Sequence, residues 1–261
     1  MLLLMKKLEL LYSFYMKQLF LLFVVLLMVC SCSDEILNED NHQAILGTSN
    51  VTFSFDSITE PSNWRKYQSL EEMLAACQIP EGKLKSMSTD ELIEVCMNHP
   101  LRGIFSAYSN ELDGVSVIVH NFNGFIELKN RKDAASKLLL FYEKVNCVPH
   151  DGTIPNKSFA DISHLGFIDL YIASKDLKDL YAGQHLYELE RISKNVFDLR
   201  LNENEKSLSS IRHSLLIIAQ AKLEAKNIDA EDSEILRRFV KVSGQVQDPK
   251  DYTKVSFILS K

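Results

Sequence analysis

This chain of 261 residues predicts an all-α fold: short antiparallel helix pairs, solenoid-like in their stacking, after a disordered acidic N-terminal tether. Three observations carry that expectation. Ser69 to Glu72 and Ser88 to Glu91 are capping boxes, in which a serine hydroxyl and a glutamate three residues on satisfy the free N–H groups of a helix start. Apolar residues recur at i, i+3, i+4 and i+7 through most of the body, the spacing of one buried helix face. Glycine and proline fall at the breaks between these stripes, so successive helices turn back on one another. No self-similarity at a fixed period accompanies them, so a repeat array is not established.

Residues 19–29 are uninterrupted Leu, Phe, Val and Met, preceded by Lys17 and followed by small residues. That is the charged start, apolar middle and small-residue exit of a signal peptide. Residues 19–31 are too short to span a bilayer as a helix, which needs about 20 apolar residues. Val29-Cys30-Ser31-Cys32 resembles a lipobox, whose cysteine is acylated and becomes the first residue after cleavage. Cys32 fits better than Cys30, because Ser31 is small enough for the position before the cut and Val29 is not. An ordinary signal peptide or an uncleaved anchor is the alternative, and the apolar patch over residues 1–15 keeps it open. Residues 1–31 read as the signal peptide, and Met16-Lys17 within them is the better candidate for the true start, which would make 1–15 a mis-assigned beginning. Acyl chains on Cys32 would anchor durably, at about 0.8 kcal/mol per buried methylene. Ser33, Asp34 and Glu35 resemble the acidic export signal for the outer face of the outer membrane in Bacteroidota. The expectation is a lipid anchor in the outer membrane with the body exposed at the cell surface; the alternative is a periplasm-facing body.

Residues 32–68 read as the lipidated tether. Between 33 and 64 lie Asp34, Glu35, Glu39, Asp40, Asp56 and Glu60, with no Lys or Arg and little helical periodicity, the composition of a disordered linker. Residues 51–55 alternate apolar and polar, as a short extended strand against the body would. Asp56-Ser57-Ile58 resembles an O-glycosylation site of Bacteroidota, which makes Ser57 a candidate.

From Ser69 the chain becomes helical. Leu70, Met73, Leu74 and Cys77 share one face before Pro80 blocks continuation. Leu92, Val95 and Cys96 form a second stripe that His99-Pro100 stops. Leu101, Ile104, Phe105, Tyr108 and Leu112 make a third, ended by the turn pair Asp113-Gly114. Val115, Ile118, Val119 and Phe122 make a fourth, although the β-branched run also fits a strand. Ala135, Leu138, Leu139 and Tyr142 close a helical region over residues 69–146. Residues 147–157 carry two prolines and Asp151-Gly152 and read as a loop. Longer helical segments follow over 159–174, 184–201 and 203–227, the last with Leu208, Ile211, Leu215, Ile218 and Lys222 on one face. A weaker helix spans 231–242, and 255–259 fits a strand or a helix end. Residues 158–261 thus make a second helical region of the same domain.

The formal charge is −6; removing residues 1–31 takes away three lysines and one glutamate and brings it to −8. An acidic body without a basic run argues against nucleic acid as a partner, since that binding rests on Lys and Arg at phosphates. Cys77, Cys96 and Cys147 are too few and too widely spaced for a disulfide framework. Cys77 and Cys96 would pair only if their helices are adjacent; three buried apolar thiols are the simpler reading.

Candidate chemistry is sparse. Cys96 and His99, three apart at a helix end, have the residue types of a thiolate–imidazole hydrolase, but Cys96 lies on the buried stripe and His99 suits a helix C-terminus. His150 and Asp151 in the loop, Asp161 and His164 on one helix face, and Asp169 and His185 beyond make a second region for a hydrolase. No His-Glu-x-x-His or Cys-x-x-Cys motif is present, so no metal ligand set is assigned. Glu71/Glu72 and Asp90/Glu91 are explained as first-turn acids at helix starts before carboxylate pairs for glycoside hydrolysis. Trp64, Tyr67, Phe122 and Phe125 are of the types that stack on sugars, though core packing accounts for them as well. No cofactor is implied.

Residues 70–80 (LEEMLAACQIP), 87–94 (MSTDELIE), 99–101 (HPL), 122–125 (FNGF) and 131–135 (RKDAA) resemble a family of uncharacterised outer-membrane lipoproteins from Bacteroides and related bacteria. The resemblance covers about a third of the chain. It implies the same lipid anchoring and brings no catalytic residue with it. The combined expectation is a non-enzymatic surface or outer-membrane lipoprotein, held to the membrane through its lipid and offering a face to a glycan or an outer-membrane protein complex. A hydrolase using Cys96/His99 or the His150–His164 region is the alternative.

Overall fold

A computed structural model describes residues 53–147, 159–177, 180–202, 208–226, 228–246 and 248–260, all within the unit Ile45–Lys261. Among the described residues there are helices and no strands, so the chain is all-α. Ser88–Glu91 closes as a reciprocal capping box, while at Ser69–Glu72 the serine caps the helix and the glutamate takes the N–H one residue before the cap. Ser69 Oγ accepts from the Glu72 N–H (3.2 Å), and Glu72 reaches back to the Gln68 N–H (2.6 Å), starting α3 (Leu70–Ala76). Ser88 Oγ accepts from the Glu91 N–H (3.2 Å) while Glu91 takes the Ser88 N–H (2.8 Å), starting α5 (Thr89–Met97).

Four local expectations need correction. The end of the tether is folded: α1 (Asp56–Thr59) and α2 (Pro61–Trp64) are single turns, and Phe55 is buried in the core, with residues 53–55 forming no strand. Pro80 does not merely stop α3. It is the N-cap residue of α4 (Glu81–Ser86), where its missing N–H costs nothing. The far end of α4 is satisfied from outside, by Arg131 donating to the Leu84 (3.1 Å) and Met87 (3.0 Å) carbonyls.

The third stripe forms a 3₁₀ helix (Arg102–Ala107), and Asp113-Gly114 lies inside α6 (Glu111–Asn121) instead of ending an element. Gly114 is there for contact: a Cβ would sit 2.6 Å from the Phe105 Cα of the 3₁₀ turn. The valine-rich stretch is therefore helical, its packing outweighing β propensity. Phe122 is the extended joint between α6 and α7 (Asn123–Lys129), so FNGF is a helix start and not an exposed turn. That joint is fastened reciprocally to the α3–α4 break. Asn123 Nδ2 donates to the Ile79 carbonyl (2.7 Å) and its Oδ1 accepts from the Ile79 N–H (3.0 Å), while Gln78 Oε1 accepts from the Asn123 N–H (3.0 Å).

The remaining helices are α8 (Ala134–Cys147), α9 (Phe159–Ile172), α10 (Gln184–Asn202), α11 (Leu208–Ala225), α12 (Ala230–Lys241) and α13 (Pro249–Ser260), with a 3₁₀ turn (Lys175–Leu177) before α10. The tail segment 255–259 is thus helical. α10 and α11 are an antiparallel pair, since Arg200 near the end of one meets Ser210 and Ser214 near the start of the other, and Glu190 approaches Lys222 (3.9 Å) at the opposite end. α11 also packs on α9, α12 and α13. Leu215 to Ala219 are consecutively buried, so α11 is covered all round, as a helix at the centre of a core must be. Leu208, expected on its buried face, is 79% exposed at its start. α9 joins this group to the N-terminal helices, with Tyr171 and Phe167 against Phe125 (ring centroids 4.6 and 6.0 Å). A single apolar cluster consequently runs from Phe55 to Leu259.

Candidate functional site

The densest gathering of ionisable groups lies where α9, α10 and α11 meet α6. Asp169, wholly buried on α9, accepts two hydrogen bonds from Arg200 of α10 (2.8 and 3.1 Å). The same guanidinium donates to Ser214 Oγ (2.8 Å), the Ser210 carbonyl (2.8 Å) and Asn146 Oδ1 (2.6 Å). His213, 2% exposed, presents Nδ1 3.8 Å from Asp169 and Nε2 3.0 Å from Glu111. Arg212 donates to both oxygens of Glu111 (2.9 and 2.8 Å). Burial works against ionisation of Glu111, but the bonds from His213 and Arg212 outweigh it and hold the carboxyl below the usual carboxylate range. Charges this deep persist only when paired and hydrogen-bonded. Asp169 is thereby occupied by a guanidinium, and the cluster locks the helices together.

A second link ties α6 to the C-terminal turn. Ser243 and Gly244 both adopt left-handed backbone (φ 51° and 73°), which turns Ser243 Oγ onto the Leu112 N–H (3.2 Å) and Asn110 at the start of α6.

Cys96 and His99 do lie together at the end of α5, but both are wholly buried. Desolvation pushes the Cys96 thiol well above its ordinary range. Burial, helped by the Arg102 charge, pushes His99 down to about 3. A thiolate–imidazolium pair needs both shifts reversed. His99 stands among aromatic rings, 4.7 Å from Phe122 and 5.5 Å from Phe55 between centroids, instead of facing a helix end exposed to water. Cys77 and Cys96 are both free, so they do not pair.

In the second candidate region, His150 and Asp151 lie outside the described residues, as does the Asp161 side chain; His164 and His185 are half-buried. Among the described residues, no three His, Cys, Asp or Glu are grouped to hold a metal ion. Glu72 and Glu91 serve as caps, hydrogen bonds from the backbone and Ser69 lower the Glu71 pKa, and Asp90 pairs with Lys137 (2.7 Å). Phe122 and Phe125 are wholly buried and cannot stack on a sugar, whereas Trp64 and Tyr67 remain half-buried in edge-to-face contact (5.8 Å). Ser57 is exposed on α1. Cys32, Ser33, Asp34, Glu35 and Cys147 lie outside what the structure describes in side-chain detail.

One arrangement has no counterpart in the sequence expectations. Ser116 Oγ lies 3.1 Å from His120 Nδ1, and His120 Nε2 lies 2.9 Å from Asp176 of the 3₁₀ turn, where Lys129 also approaches (3.4 Å). The i, i+4 spacing of Ser116 and His120 was visible; the return of Asp176 to that face was not. Hydroxyl, imidazole and carboxylate are joined in sequence, but Ser116 sits in mid-helix, where backbone amides are taken up by the helix and do not converge as oxyanion donors.

Comparison with known proteins returns no matching family model, no similar curated protein and no similar solved structure.

Proposed function

We propose that this chain is a lipid-anchored envelope protein: an acidic helical body tethered through Cys32 in the outer membrane, serving as a binding or accessory module. The observation that carries the reading is the unbroken apolar stretch of residues 19–29 leading into Ser31-Cys32. That order of charge, apolar run, small residue and cysteine is what lipoprotein processing requires. Ser33, Asp34 and Glu35 support display on the outer face. No described helix is long and apolar enough to cross a membrane. Its partner is a glycan or an outer-membrane protein, and the half-buried Trp64–Tyr67 pair is the aromatic surface available for the former.

A binding role is favoured over hydrolysis at Cys96/His99 because thiol and imidazole are both held neutral and away from water. The test is in-cell crosslinking of the full chain carrying a C-terminal tag in its native host. A stoichiometric outer-membrane partner supports the accessory role. Recovery alone, with no retention on glycans, contradicts it.

A further inference from the structure

Residues 53–67 lie against the body by apolar contact. Among the described residues, their hydrogen bonds run within residues 53–68. Thr59 Oγ1 donates to the Phe55 carbonyl (3.1 Å), Asn63 Nδ2 to the Ser57 carbonyl (2.8 Å) and Lys66 Nζ to Asn63 Oδ1 (2.8 Å). Phe55 is the segment's one buried side chain, with Phe53, Ile58 and Trp64 half-buried beside it. A segment held by one buried and three half-buried side chains, with no hydrogen bond to the body among the described residues, belongs at the low end of local stability.

That anchor closes on His99. The imidazole is wholly buried; its Nδ1 accepts from the Leu101 N–H (3.2 Å), which places the proton of the neutral ring on Nε2, where it meets no partner. A second proton would have to enter at Nδ1, breaking that bond and setting a cation among Phe55 and Phe122. The charged group acting on the ring is Arg102, whose guanidinium also approaches the His99 carbonyl (3.5 Å); Cys96, whose carbonyl accepts from the His99 N–H (3.3 Å), lies one turn earlier at the end of α5. The joint at Phe122 brings no charge. The segment itself brings Asp56, exposed beside Phe55, while Lys83 lies over Phe53 (5.9 Å). Neither Arg102 nor Lys83 can welcome a second cation.

We propose that residues 53–67 form a pH-sensitive strap, pinned by Phe55 over His99 at neutral pH and released when His99 takes a proton. Opening lets water reach the imidazole, so the burial that holds it down to about 3 is relieved and its basicity rises toward the ordinary 6.5, with the Arg102 charge still opposing the proton. Protons then bind the open form preferentially, so opening gains at most tenfold for each pH unit below 6.5, with a ceiling of about thirtyfold at pH 5. The inference does not depend on lipidation of Cys32, so its failure leaves that reading untouched.

The test is hydrogen exchange of the full chain at pH 7.5 and 5.0, corrected for intrinsic exchange. The chain's one tryptophan, Trp64, reports strap contact independently by its fluorescence. Expected is a severalfold gain in opening for residues 53–67, up to about thirtyfold, with α11 unchanged. Phe55→Ala should release the strap already at pH 7.5, red-shifting Trp64 emission while α11 stays protected. His99→Phe should abolish the pH dependence. Equal strap opening at both pH values in the unmodified chain would overturn the proposal, as would the same pH response in His99→Phe.

Discussion

Arg200 grips Asp169 through both terminal nitrogens of its guanidinium, with side chains 7% and 0% exposed, and spends its remaining donors on α8 and α11. One side chain therefore holds four helices in register. Removing one partner strands the other's charge in the core. Asp169→Asn or Arg200→Met should each cost about 3–5 kcal/mol, read as a lower urea midpoint. The paired change Asp169→Leu with Arg200→Met should recover most of that loss; no recovery would mean that the bonds to Asn146 and Ser214 matter more than the ion pair.

Two glycines should respond in opposite directions. Gly114→Ala forces a methyl to within 2.6 Å of the Phe105 backbone. It should cost about 1–3 kcal/mol despite alanine's better helix propensity. Gly82, in α4, has nothing within 4 Å of a new Cβ, so Gly82→Ala should stabilise by up to about 1 kcal/mol. Thermal melts of the two variants check both signs.

The break between α3 and α4 and the joint between α6 and α7 are fastened by Gln78 and Asn123. Gln78→Ala and Asn123→Ala should be non-additive, with a coupling of about 1 kcal/mol in a double-mutant cycle. Additive losses would show that each amide serves its own helix end separately.

Glu111 should contribute a pH dependence at the acid end. Its carboxyl ionises more readily when folded than its ordinary value of 4.5. The unfolded chain therefore takes up its proton first as pH falls. Stability from this group is fully present above pH 4.5 and is lost as pH drops through its lowered folded value. Glu111→Gln should flatten the stability–pH curve below pH 4.5 and lower the plateau above it.

The helix class was legible because capping boxes and apolar stripes are local. Ser69, Ser88 and the stripes through Leu92 and Leu138 needed nothing from elsewhere in the chain. What escaped depended on distant partners. Gly114 reads as a turn until Phe105 is known to lie against it, and the helix Glu81–Ser86, whose end Arg131 satisfies from another element, carries no apolar stripe that the sequence analysis picks out. The Asp169–Arg200 pair was hidden for the same reason, since nothing in a sequence brings residues on two helices to one point. His99 and Phe122 both meet the ring of Phe55, a residue that local composition assigns to the tether.

The central claim, lipid anchoring at Cys32, is tested most directly by intact-mass analysis of the mature chain from its native host, alongside Cys32→Ala. The account predicts a chain that begins at Cys32 and carries the mass of covalent acyl chains, fractionating with the outer membrane, and a Cys32→Ala variant that loses both. A mature chain without acyl mass, or a Cys32→Ala variant still held in the outer membrane, would contradict it.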